Sequence, residues 1–173
     1  MRVVAGELRG RRLRAPRESV RPTADRVREA LFAILGDVTG LVVLDLFSGT
    51  GAVAIEAISR GAARATLVDT DPAAARANVA ALGLEERCRV VGGDAIRFLR
   101  RDRGRYDLIY LDPPYRLARR LVSELEDLVP ARLADGGLAI VESASADPIE
   151  LGLPTLDRRD YGATAIRIQG VPR

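Results

Sequence analysis

The sequence predicts an α/β fold: a doubly wound, mostly parallel sheet with an antiparallel hairpin at its C-terminal edge, preceded by a small basic hairpin and a helix. Three observations carry that expectation. Short apolar runs alternate strictly with segments of helical periodicity from residue 41 to residue 142. A Gly-x-Gly turn, Gly49-Thr50-Gly51, joins the first run to its helix. The last two runs are separated only by Tyr161-Gly162, which leaves no room for a helical crossover and implies antiparallel pairing.

Taken in order, the chain opens with an arginine-rich reversal over residues 2–14, its turn near Gly6–Gly10, followed by a helix over 23–35. Thr23 or Asp25 caps that helix, Val27, Ala30, Leu31 and Ile34 form its apolar stripe, and Gly36 ends it. Strand 41–46, helix 51–60, strand 64–69, helix 72–82, strand 87–91, helix 95–101 and strand 106–111 follow. A helix over 117–129, a strand over 137–142 and the edge strands 155–160 and 163–168 complete the sheet. No internal repeat or low-complexity linker marks a second globular domain.

The richest local chemistry lies at residues 112–115, Asp-Pro-Pro-Tyr, directly after an apolar strand. Two prolines forbid helix and interior strand pairing there, so they set a stiff turn with carbonyl oxygens left to accept hydrogen bonds. The Asp112 carboxylate and the Pro113 carbonyl can accept both hydrogens of an exocyclic amine, with Pro114 stiffening the turn and Tyr115 stacking on the attached ring. A plain strand-ending turn with a capping aspartate explains Asp-Pro equally well.

Upstream, the order strand, glycine turn, helix suits a nucleotide-type cofactor, because Gly49 and Gly51 let the backbone approach a ligand closely. Asp69 and Asp71 end the next strand about twenty residues later, where an acid grips ribose hydroxyls; Asp71 reads as the cap of the following helix and Asp69 as the ribose ligand. Asp94 either accepts from an adenine amine or caps its own helix. Asp45 sits inside the end of the first strand, where an apolar residue would suit a buried parallel strand. An anionic pyrophosphate would be repelled there, whereas the sulfonium and ammonium of S-adenosylmethionine favour acid-rich surroundings. Acids therefore stand at four consecutive strand ends, the sheet edge where such folds bind ligands.

Composition narrows the classes further. At 173 residues and 47% hydrophobic content the chain suits one core of ordinary size. No apolar run approaches a membrane span and the arginine-rich start lacks an apolar signal region, so a cytoplasmic protein with no membrane partner is expected. With Cys88 the sole cysteine and no histidine, disulfides, histidine catalysis and the usual zinc sites are set aside, and no metal is expected. Residues 1–35 hold nine arginines against four acids, while the remainder is slightly acidic. That basic end is the candidate nucleic-acid arm, through Arg9, Arg11, Arg12, Arg14 and Arg21. All 27 basic residues are arginine, a compositional bias rather than a functional signal; their clustering is what informs.

The series Asp45-x-Phe47-x-Gly49-x-Gly51, Asp69, Asp94 and Asp112-Pro-Pro-Tyr115 resembles the motifs of class I methyltransferases that modify exocyclic amines. The match is closer to the RsmD-type ribosomal RNA guanine-N2 methyltransferases. Arg9-Gly-Arg-Arg-Leu-Arg14, Arg21-Pro-Thr-Ala-Asp-Arg-Val-Arg-Glu-Ala-Leu-Phe32, Glu56-Ala-Ile-Ser-Arg-Gly-Ala62, Val141-Glu-Ser143 and Tyr161-Gly-Ala-Thr164 are similar to segments of that family, so the resemblance spans nearly the whole chain. Ala5, Thr50 and Asp69 stand where that family commonly has glycine, serine and glutamate. None of these removes a needed chemical group, although the shorter Asp69 would weaken a ribose contact.

The resemblance implies a Rossmann-like class I methyltransferase fold and methyl transfer from S-adenosylmethionine to a guanine N2 in small-subunit ribosomal RNA. It implies cofactor contacts from Asp45, Phe47, Gly49, Gly51, Asp69, Asp94 and Ala95, and catalysis at Asp112, Pro113, Pro114 and Tyr115. Arg21 and Thr23 would close over the site or contact RNA, with helix capping the competing role for Thr23. Residues 1–36 are then an RNA-contacting extension packed on the core, residues 37–173 the methyltransferase domain, and the enzyme a monomer acting on ribosomal RNA within a small-subunit particle. A DNA adenine or protein glutamine methyltransferase would use the same amine clamp. A nicotinamide-dependent oxidoreductase would explain the glycine turn, and a non-catalytic RNA-binding module the arginine arm.

Overall fold

The computed structural model describes residues 1–15 and 23–171, with the side chains of residues 23, 24 and 115–119 outside that description. The elements are α1 (Thr23–Leu35), β1 (Val42–Leu46), α2 (Ala52–Ser59), β2 (Arg64–Asp69), α3 (Ala73–Leu82), β3 (Cys88–Gly92), α4 (Ala95–Arg101), β4 (Tyr106–Leu111), α5 (Tyr115–Leu128), β5 (Leu133–Ala144), β6 (Thr155–Tyr161) and β7 (Thr164–Gly170), with a 3-10 turn at Pro130–Arg132. The sheet has seven strands in the order β3-β2-β1-β4-β5-β7-β6. The first five strands are parallel, and β7 enters antiparallel between β5 and β6.

Alternation along each strand divides the core into two layers. Val43, Leu67, Leu108, Tyr110 and Ile140 face α1, α2 and α3. Leu44, Val68, Ile109, Leu111 and Val141 face α4 and α5. Strand order reverses between β1 and β4, which opens a crevice at the carboxyl ends of those two strands. The four acid-bearing strand ends, β1 through β4, surround it.

Differences from the sequence reading are local and have physical causes. The N-terminal reversal closes on itself through Val3 N–H to Arg11, Gly10 N–H to Val3 and Leu13 N–H to Met1, with Arg2 and Arg12 as its bridge, and the donors of its turn go to α2. The Val4 and Ala5 N–H groups donate to the Glu56 carboxylate at 2.8 and 2.9 Å, and those of Glu7 and Leu8 to the carbonyl and hydroxyl of Ser59 at 2.8 and 3.0 Å. At Gly6 an added Cβ would lie 1.7 Å from the Ser59 carbonyl oxygen, so only glycine permits this approach. Asp25 lies within the first turn of α1, bonded to Arg28 at 2.9 Å, and is not its cap. Helix α1 buries Phe32 along with Val27 and Leu31, and the Arg60 guanidinium covers the Phe32 ring at 4.8 Å. Helix α5 starts at Tyr115, directly on the double proline, with Pro114 (φ −54°, ψ 131°) as its N-cap. Strand β5 starts earlier, at Leu133, and its register against β4 shifts between the Tyr106–Leu133 and Leu108–Leu138 pairs, a stretch that holds Gly136 at φ 71°.

Candidate active site

Strand β1 ends in a chain of special backbone conformations. Phe47 has φ 61°, the sole positive φ on a non-glycine residue among those described, and Gly49 (φ 52°) and Gly51 (φ 76°) follow it. At Gly51 an added Cβ would meet Leu67 at 2.6 Å, so this glycine lets α2 pack on the sheet. At Gly49 an added Cβ would meet nothing within 4 Å, so that glycine faces open space. One glycine serves the fold and the other leaves backbone exposed to a ligand, the division a cofactor turn requires.

Asp69, at the end of β2, clamps this turn. One carboxylate oxygen accepts from the Gly49 N–H at 2.7 Å and the other from the Asp71 N–H at 2.9 Å. Each oxygen retains a second acceptor site, so a ribose hydroxyl can still be held. Asp71 accepts from Ala73 N–H at 3.3 Å, supporting the start of α3 from one residue before its Pro72 N-cap. Asp94 is the N-cap of α4, accepting from Arg97 N–H at 2.8 Å through Oδ1. Beside it a groove of about 490 Å³ runs between α4 and α5, lined mostly by charged side chains, Arg97, Arg100, Arg101 and Glu124, with Ile96 and Leu121 its apolar part. Ala95, next in sequence, is buried.

Asp45 is 1% exposed and accepts from the Ala54 N–H in the first turn of α2 at 3.2 Å. Burial pushes its carboxyl up to about 7; the Ala54 hydrogen bond opposes that rise, and the neighbouring Asp112 and Asp69 charges add to it. Asp45 therefore anchors the helix N-terminus from beneath, while burial disfavours its charged form. The Ser48 hydroxyl, buried in the same turn, has no hydrogen-bond partner among the described residues.

Across the crevice, Asp112 and Pro114 are exposed while Pro113 is buried. Tyr110, one strand over from Asp45 and paired with it in register, donates its hydroxyl to Glu142. Burial, and then the Glu142 and Asp112 charges, hold that phenol well above its ordinary value, so it stays protonated and is unsuited to act as a base. Tyr115 begins α5, but its side chain lies outside the described residues, as do that of Thr23 and all of Arg21. Arg9, Arg11, Arg12 and Arg14 are all exposed on the N-terminal loop.

The fold thus brings Asp45, Phe47, Gly49, Gly51, Asp69 and Asp112 to one sheet edge, with Asp94 at the end of the adjoining strand. The model of the family described as Conserved hypothetical protein 95 matches residues 1–169. This chain belongs to that family. It is 39% identical over 162 residues to the Ribosomal RNA small subunit methyltransferase D of Escherichia coli (strain K12), covering 90% of this chain and 79% of that protein. Among solved structures, yhhF from Escherichia coli superposes with a TM-score of 0.83 at 35% identity, covering 100% of this chain and 99% of that one. A hypothetical protein from Thermus thermophilus likewise has a TM-score of 0.83, at 34% identity and 99% coverage of each chain. The resemblance read from the motifs and the family established by these comparisons agree.

Several residues that organise the site were given no role by the motifs. Glu56, 0% exposed, also takes ion pairs from Arg28 at 3.4 Å and Arg60 at 2.8 Å, which makes it the junction between the arm, α1 and α2. Asn78 and Tyr110 are likewise buried polar groups with specific partners, Tyr110 bonding the half-buried Glu142. A carboxylate within the otherwise apolar Ala52–Ser59 segment was the available signal for Glu56.

Proposed function

We propose that this family member methylates the exocyclic N2 amine of a guanine in 16S ribosomal RNA, within a small-subunit particle, acting as a cytoplasmic monomer. The broader activity belongs to the chain through its family: it is an S-adenosylmethionine-dependent ribosomal RNA methyltransferase. The observation that most supports the finer reading is the exposed Asp112 at the end of β4, directly before a double proline and across the crevice from the clamped glycine turn.

The residues present fit the cofactor. The open face of Gly49, the two-oxygen clamp of Asp69 and the second oxygen of Asp94 supply a backbone platform and acceptors for ribose and adenine, with Phe47 half-buried at the turn and Ala95 packed behind Asp94. When bound, S-adenosylmethionine supplies an electrophilic sulfonium methyl group. Asp45, partly ionised beneath the turn, and Asp112 provide negative potential on the side where its cationic aminoacyl end would lie. Asp112 and the Pro113 carbonyl accept from the two N–H groups of a guanine amine, and Tyr115 packs on the base. Those hydrogen bonds would withdraw the nitrogen lone pair from ring conjugation and free it to take the methyl group, with S-adenosylhomocysteine leaving and the amine proton passing to Asp112 or to water. Acceleration comes from positioning and fixed electrostatics.

The division of labour completes the proposal: residues 1–36 hold RNA through Arg9, Arg11, Arg12, Arg14, Arg21 and Thr23, and residues 37–173 carry the chemistry. The deciding experiment is transfer of labelled methyl groups into small-subunit particles lacking their modifications, followed by digestion of the RNA to nucleosides. N2-methylguanosine formed by the wild type and absent with Asp112→Ala is expected. Label in DNA or protein instead would overturn the substrate assignment.

A further inference from the structure

Asn78 lies on α3 at 2% exposure, and its carboxamide is fully engaged. Oδ1 accepts from the Arg14 N–H at 2.7 Å, while Nδ2 donates to the Arg14 carbonyl at 3.0 Å and to the Thr50 carbonyl at 2.9 Å. One N–H donor facing the oxygen and two carbonyls facing the nitrogen fix the orientation of the amide, since a flip would oppose like groups at all three contacts. Thr50 is the residue between the two glycines of the cofactor turn, and its hydroxyl also contacts the Met1 sulfur at 3.6 Å. Met1 and Arg14, which lie at the two ends of the arm's reversal, therefore converge on one residue of that turn.

We propose that Asn78 is a positioning residue that couples RNA binding by the arm to cofactor binding on the Gly49–Gly51 turn, so that each ligand raises the other's affinity. The inference rests on the assignment of RNA to the arm made above. Left-handed conformations at Phe47, Gly49 and Gly51 leave the turn dependent on outside contacts to hold its carbonyls in place. Asn78 supplies that hold at Thr50 and shares the same amide with Arg14. RNA that immobilises Arg14 thereby orders Thr50, and the cofactor then binds a turn whose ordering cost has already been met. Linkage requires the converse effect to be equal.

Asn78→Asp tests this with almost no change of shape, because it sets an oxygen against the two carbonyls. The dissociation constant of S-adenosylhomocysteine is measured calorimetrically with and without saturating small-subunit particles lacking their modifications, which serve as the RNA in every comparison. The wild type should bind it about fivefold or more tightly with RNA present, and the variant within about twofold of its RNA-free value. A purely structural role would lower the melting temperature and leave that ratio intact, which overturns the proposal. Asn78→Ser replaces the aspartate variant should the latter not fold. In the wild type itself, S-adenosylhomocysteine should slow hydrogen exchange at the Arg14 amide, and unchanged exchange there overturns the proposal whatever the variants do. A wild type that binds both ligands with a ratio of one overturns the coupling alone; a wild type that binds no RNA overturns the arm assignment and the coupling together.

Discussion

Asp45 and Asp112 stand at the carboxyl ends of neighbouring strands, and the fold treats them in opposite ways. Asp45 is 1% exposed and accepts from the Ala54 N–H of α2, and its carboxyl is pushed up to about 7. Asp112 is exposed and begins a proline-stiffened turn that leads into α5. Two carboxylates on adjacent strand ends thus differ in burial and partners, Asp45 being covered by the N-terminus of α2 and Asp112 left open, and the proposed mechanism gives the open one the acting role. The same contrast recurs in the arm, where the buried Glu56 fastens backbone and the exposed arginines face outward.

The largest effect should separate the two aspartates by function. Asp112→Ala is expected to lower kcat for methyl transfer at least about a hundredfold while leaving S-adenosylhomocysteine affinity within about threefold of wild type, by labelled transfer and calorimetry. Wild-type turnover in that variant would erase the distinction.

Replacing Arg9, Arg11, Arg12 and Arg14 together with alanine should weaken RNA binding by about tenfold or more at roughly 0.15 M salt. It should also flatten the salt dependence, without changing cofactor affinity measured in the absence of RNA. A parallel loss of cofactor affinity in that RNA-free measurement would show that the exposed charges serve the cofactor site.

Glu56→Gln probes the buried carboxylate that fastens the arm. It leaves Arg28, 4% exposed, without its buried partner and should destabilise the fold by about 3 kcal/mol, with the Val4 and Ala5 amides exchanging faster than those of the sheet. Uniformly faster exchange would mean that the arm and the core unfold as one unit.

The burial of Asp45 should also show as a slope in pH. Asp45 has a folded pKa of about 7 against an ordinary aspartate value of 3.8, so the folded state holds a proton that the unfolded state has released across this window. Its contribution to stability therefore falls as pH rises from about 4 to about 7 and levels off above that. Asp45→Asn cannot ionise, so its stability relative to wild type should rise over the same window in denaturant titrations at several pH values. A flat difference would mean that Asp45 is charged throughout.

Much of this molecule was legible from local pattern. The strand from residue 106 to residue 111, the helix from 95 to 101 and the edge strands around Tyr161-Gly162 lie where apolar period and turn chemistry put them. The acids Asp45, Asp69, Asp94 and Asp112 all fall at strand ends or just beyond, because alternation of strand and helix in a parallel sheet sends every such end to one edge. Asp94 shows where pattern runs short: capping and ligand contact need the same residue at the same place, and the structure supplies the cap. The hairpin expected at residues 2–14 shows a different gap. Its turn glycines were visible, but whether its N–H groups would pair with its own chain or with a distant helix was not.

The sequence by itself determined the order of the elements, the alternation that builds the parallel sheet, and the types of group delivered to its carboxyl edge, since each depends on spacing within a few residues. Only the tertiary structure decided which of those groups would be buried. Glu56 meets Val4 across 52 residues of chain and Asn78 meets Arg14 across 64. Burial turns on which distant segment covers a side chain, and no local period encodes that choice.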